Sequence, residues 1–207
     1  MTRIKICGFT NADDCQAAAI SGVDALGFNF AAGPRKISSA VGRALVDSLP
    51  PFVQSVGLFL NQPVQQVREV MRWTGCQMAQ LHGEESAEEI RWLARFFPVI
   101  KAYRIRTADD IAAIPADLPL AAVLLDAWSD QAHGGTGASW DYALLQPGQL
   151  PYPLILAGGL RPANVGAAVA SVRPYAVDAA SGVESRPGRK DPALMTRFVT
   201  AVRTATV

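Results

Sequence analysis

The feature that most constrains this chain is a repeat of pattern, with short, near-continuous apolar runs alternating with amphipathic stretches of helical period from end to end. Apolar runs occupy positions 3–7, 25–30, 54–60, 76–82, 99–105, 121–126, 153–157 and 175–179. A strand that is apolar on both faces must be covered on both sides, which is the signature of a parallel sheet flanked by helices. The segments between carry start signals: Asn11 as a cap, Ser38 or Ser39 near a second start, Pro63 near a third, Ser86 with Glu89 as a capping box, and Asp191 followed by Pro192. Each unit spans roughly 20 to 30 residues, the size of one βα repeat.

Eight such units with no linker or composition shift between them predict one α/β domain over residues 1–207. The expected fold is a (β/α)8 TIM barrel, an eight-stranded parallel barrel with outer helices. A doubly wound open sheet is the alternative. Half of the 207 residues are hydrophobic, so a sizeable core is available. Trp73 and Trp92 fall inside helices and are read as packing residues, and Cys15 as core.

Charge and cysteine content narrow the class. Nineteen Lys and Arg face eighteen Asp and Glu, a formal charge of +1 with no basic run, so nucleic acid is not an expected partner. Cys7, Cys15 and Cys76 have no metal-ligand spacing and no even-numbered framework; reduced thiols in a reducing compartment, and no metal, are expected. No N-terminal signal segment or membrane-spanning apolar run is visible, which predicts a cytoplasmic protein without a membrane partner.

In a barrel the loops after the strands share one face, where chemistry is done. Those loops bring Cys7 and Gly8, then Arg35, then His82 and Gly83, then Asp126 followed by Gly134, Gly135, Thr136 and Gly137. Gly158 and Gly159 follow strand seven; Asp178, Ser181 and Gly182 follow strand eight. Glycines at the last two strand ends leave backbone N–H groups free for a phosphate, although a glycine pair after a strand is also an ordinary tight turn. Gly134 to Gly137 lacks the Lys-Ser/Thr of a nucleotide-binding loop. Cys7 reads as a nucleophile, a base or inert packing; Arg35 as a carboxylate clamp or a surface charge; His82 as a structural imidazole; Asp126 as an acid or a cap. His133 is assigned no essential role.

Lys5-Ile-Cys-Gly8, Leu26-Gly-Phe28, Pro34-Arg35, Val56-Gly57, Gln80-Leu-His-Gly83, Leu125-Asp126, Gly134-Gly-Thr-Gly137, Leu156-Ala-Gly-Gly-Leu160, Val177-Asp178 and Ser181-Gly-Val-Glu184 occur in one order along the chain. In that order they resemble the phosphoribosylanthranilate isomerase family of tryptophan biosynthesis. The resemblance implies a cofactor-free Amadori rearrangement of a phosphorylated small molecule, with Asp126 as general acid and Cys7 as general base. It implies substrate contacts from Arg35, to the anthranilate carboxylate, and from His82 and Asp178. It assigns the phosphate to Gly135, Gly137, Gly158, Gly159, Ser181 and Gly182. The protein is then a monomer or a homodimer.

The chemistry sets conditions. A free thiol, with a pKa near 8.5, is mostly protonated at neutral pH, so Cys7 requires an electropositive surround or an acidified substrate proton, and Asp126 must keep its proton to act as an acid. A bell-shaped pH profile follows. Two rivals share the glycine strand ends: a barrel enzyme acting on an indole or imidazole phosphoribosyl intermediate, and a catalytically silent barrel that binds a phosphorylated ligand.

Overall fold

The computed structural model describes residues 1–127, 144–145 and 149–205. Its strands are β1 (Arg3–Cys7), β2 (Ala25–Asn29), β3 (Gln54–Phe59), β4 (Met78–Leu81), β5 (Val99–Ile105), β6 (Ala122–Ala127), β7 (Leu154–Leu156) and β8 (Ala176–Ala179). All pair in parallel, each with the next, and β8 returns to β1, so the sheet closes. The open, doubly wound alternative is excluded. The expected helix near Asp141, between β6 and β7, falls largely outside the described residues.

The helices are α1 (Ala12–Ser21), α2 (Ser39–Asp47), α3 (Val64–Thr74), α4 (Ala87–Leu93), α5 (Ala108–Ala112), α6 (Val165–Val172) and α7 (Pro192–Thr204). Their starts follow local chemistry. Asn11 accepts from the Asp14 N–H at 3.0 Å, Ser86 and Glu89 form the reciprocal capping box, and Asp191 caps α7 ahead of Pro192. Cys15 is buried in the layer between strands and helices, as expected, and Cys76 is buried there too. Trp92 packs against that layer, whereas Trp73 is 62% exposed and is a surface residue, contrary to the packing role expected of it.

The period of two along each strand divides the strands' residues between two compartments. Ile4, Ile6, Leu26, Phe28, Phe59, Leu81, Leu156 and Val177 face outward to the helices. Val56, Ile100, Ala102, Leu124, Ile155 and Ala176 fill the barrel interior. The inward set also includes Cys7, Gln80, Asp126 and Asp178 near the strands' C-terminal ends, with His82 just beyond β4, and these line the cavity at the barrel mouth. Parity alone thus collects the polar side chains at one place.

One element has no counterpart in the simple βα repeat. Between β8 and α7 the chain makes a 3-10 turn, Ser181–Val183, and a small antiparallel hairpin of β9 (Glu184–Arg186) and β10 (Arg189–Lys190). The hairpin is tied back to the β1–α1 loop: Thr10 donates to the Gly188 carbonyl at 2.6 Å, and the Lys190 N–H donates to Asp14 at 2.8 Å.

Candidate active site

Cys7 ends β1 and Asp126 lies near the end of β6. Going round the barrel from β1 through β8 and β7, β6 is the third strand, so the two side chains approach the mouth from well-separated sides. Space for the thiol is provided by Gly27 on the adjacent strand, where a Cβ would lie 2.7 Å from Cys7 Sγ.

Lys5 is two residues before Cys7 and points the same way. Its ammonium is buried and donates to Asp178 at 2.9 Å. Burial works against its charge, but Asp178 and Cys7 more than compensate, and its pKa lies above the ordinary lysine value. Asp178 is pushed up by burial, against the pull of Lys5. Burial likewise pushes the Cys7 thiol up; Lys5, Lys190 and Arg35 pull it down, Asp178 adds to the rise, and the net direction is up. The electropositive surround required of Cys7 is therefore present, but it does not outweigh desolvation.

His82 and Asp126 face each other, with Nε2 3.4 Å from Oδ2. Behind the imidazole, the Gln80 amide is 3.0 Å from Nδ1. Arg35 lines the cavity, but its fork is already engaged: Nε and Nη2 donate to the two oxygens of Glu184 at 2.8 and 2.7 Å. Glu184 also accepts from the buried Lys190 at 2.8 Å, and Lys190 donates to the carbonyls of Cys7 and Ala180. The hairpin therefore holds Arg35 in place from one side.

Gly158, Gly159, Ser181 and Gly182 line the same cavity. The loops after β7 and β8 touch at Gly182, where a Cβ would lie 2.0 Å from the Leu160 carbonyl oxygen. Gly135 and Gly137, with His133, lie outside the described residues. Cys7, Arg35, His82, Asp126 and Asp178 are thus gathered with four of the six expected phosphate-site residues. Three further residues that shape the site, Lys5, Gln80 and Glu184, sit in the motifs but were given no role from sequence. Lys5 and Gln80 each stand two positions before a singled-out residue, and that strand parity was the available signal; for Glu184 there was none.

A closed barrel with a carboxyl group, a thiol and paired glycine strand ends gathered at its C-terminal mouth has the layout of a (β/α)8 enzyme. The model of the N-(5'-phosphoribosyl)anthranilate (PRA) isomerase family matches residues 4–201, and the chain belongs to that family. N-(5'-phosphoribosyl)anthranilate isomerase of Citrifermentans bemidjiense is 46% identical over 202 residues, covering 96% of each chain. A monomeric form of the dimeric Thermotoga maritima isomerase superposes with a TM-score of 0.87 at 34% identity, covering 98% of this chain and 99% of that one. A phosphoribosylanthranilate isomerase in complex with reduced 1-(o-carboxyphenylamino)-1-deoxyribulose 5-phosphate gives 0.87 at 36% identity, with the same coverage.

Proposed function

We propose that this chain catalyses the Amadori rearrangement of N-(5'-phosphoribosyl)anthranilate to 1-(2-carboxyphenylamino)-1-deoxyribulose 5-phosphate, an isomerisation in tryptophan biosynthesis. The observation that carries this reading is the placement of Cys7 and Asp126 in one cavity, on strands three apart, with the glycine ends of β7 and β8 beside them. Asp126 donates a proton to the furanose ring oxygen; the C1–O bond breaks and the nitrogen lone pair forms an iminium. Cys7 then removes the proton from C2, and the resulting enolamine tautomerises to the ketone. Arg35 takes the anthranilate carboxylate through guanidinium N–H groups other than the two that Glu184 holds, Asp178 binds the middle of the substrate with the His82 ring against it, and Gly158, Gly159, Ser181 and Gly182, with Gly135 and Gly137, seat the phosphate. No step calls for a cofactor.

The raised pKa of Cys7 shapes the mechanism. At neutral pH most of the thiol is protonated, so the base is the minor thiolate fraction, its proton having passed to solvent; the iminium charge enlarges that fraction by favouring the nearby anion and separately acidifies C2–H. Because the base must be unprotonated, kcat/KM rises with pH through neutrality, and Cys7 sets that ascending limb.

The test is turnover of phosphoribosylanthranilate by the wild type, Cys7→Ala and Asp126→Asn. Both variants are expected to lose roughly three or more orders of magnitude in kcat while still binding the reduced product analogue. An inactive wild type that binds the analogue would instead establish a silent binding barrel, and full activity in either variant would refute its assigned role. The reading further places the protein in the cytoplasm, as a monomer or a homodimer, which sedimentation distinguishes.

A further inference from the structure

Gln80 is wholly buried on β4, and its side chain points into the barrel beside His82. Its Nε2 lies 3.0 Å from His82 Nδ1. With the amide in this orientation, which leaves Gln80 Oε1 buried without a partner among the described residues, the N–H donates to the Nδ1 lone pair and a neutral imidazole carries its proton on Nε2. Nε2 lies 3.4 Å from Asp126 Oδ2, and among the described residues it is buried without a hydrogen bond. The backbone adds to the fixing of the ring, since the His82 N–H donates to the Phe59 carbonyl at 2.9 Å. An N–H held in this way, aimed at a carboxyl but not yet bonded to it, gains most when that carboxyl becomes charged.

We infer that Gln80 is a positioning residue that locks His82 in its Nε2–H tautomer, so that the imidazole donates to the carboxylate Asp126 becomes on giving up its proton. This rests on the proposed role of Asp126 as the acid. When the proton passes to the ring oxygen, the negative charge left on Oδ2 draws the waiting N–H into a full hydrogen bond. An interaction that strengthens as charge develops lowers the barrier, whereas one already complete in the ground state does not. Gln80 contributes without touching substrate.

The chain has two histidines, His82 and His133, so 15N spectra of labelled protein report the tautomer with little overlap, and a His133→Gln variant assigns the signals. The wild type is expected to show His82 protonated at Nε2. Gln80→Glu replaces the donor with an acceptor and should move the proton to Nδ1, with kcat falling about a hundredfold and KM little changed. Gln80→Met, which carries no buried charge, should leave a mixture of tautomers and a smaller loss of about tenfold. Protonation at Nδ1 in the wild type would overturn the proposal, as would an unchanged tautomer and kcat in Gln80→Met, or a moved proton with unchanged kcat in Gln80→Glu. A wild type that holds the Nε2–H tautomer but does not turn over phosphoribosylanthranilate would refute the proposed function while upholding the positioning by Gln80.

Discussion

At the scale of single residues, the site depends on room as much as on charge. Cys7 has its place because Gly27, its neighbour across the β1–β2 ladder, has no side chain. Gly27→Ala would put a methyl group 2.7 Å from Sγ, so either the thiol or the strand must move. The cost in stability should be about 1–3 kcal/mol, the usual range for overfilling a packed site. The cost in kcat should be larger, about a hundredfold, because a displaced Cys7 is no longer aligned with C2–H in the role proposed for it. Circular dichroism and turnover on the same sample separate the two; a fully active, folded Gly27→Ala protein would show that Sγ needs no fixed position. Nothing in the sequence ranks Gly27 above the other glycines, since the close approach exists only once β1 and β2 are paired.

At the scale of elements, the β9–β10 hairpin is the departure from a plain repeat, and it acts on the site through Glu184. That carboxylate joins Arg35 on the cavity wall to the buried Lys190. Burial pushes the Glu184 pKa up, but Arg35 and Lys190 more than reverse this, and the net direction is down. A depressed carboxylate pKa stabilises the fold above the ordinary glutamate range, and that contribution is lost as pH falls through the depressed value. Glu184→Gln leaves Lys190 without its counter-ion and should cost about 3–5 kcal/mol near neutral pH. In urea titrations the gap between wild type and variant should narrow as the solution is acidified, and KM should rise because Arg35 has lost its anchor. A gap independent of pH would show that the ion pairs do not supply the stabilisation.

For the whole molecule, burial of thiols in the layer between barrel and helices predicts a weakness in alkali. Burial pushes Cys15 up to about 12 and Cys76 up to about 11. A group whose pKa is raised by folding contributes its full stabilisation below its unfolded value and loses it as pH climbs towards the folded one. Stability should therefore decline from about pH 9 upward, by roughly 1.4 kcal/mol per pH unit for each thiol. Cys15→Ala should lower stability near neutral pH through the cavity it leaves, yet flatten the alkaline slope. Equal slopes in wild type and variant would contradict this.

The sequence by itself determined the architecture and the address of the chemistry. Apolar strands alternating with capped, amphipathic helices require a covered parallel sheet, and residues at strand ends must then share a face; both follow from local periodicity and capping, which are written in neighbouring residues. It placed Cys7, Asp126, His82, Asp178 and Arg35 on that face. Only the tertiary structure decided which of the two strand faces looks inward, because both are apolar and their residues differ only in parity. It alone brought Lys5 of β1 to Asp178 of β8, Gln80 and His82 to Asp126, and Glu184 to Arg35. The partners Lys5 and Asp178 lie 173 positions apart, and Arg35 and Glu184 lie 149 apart. Closure of the barrel makes them neighbours, and with them come the burial and charge that set the state of the Cys7 thiol.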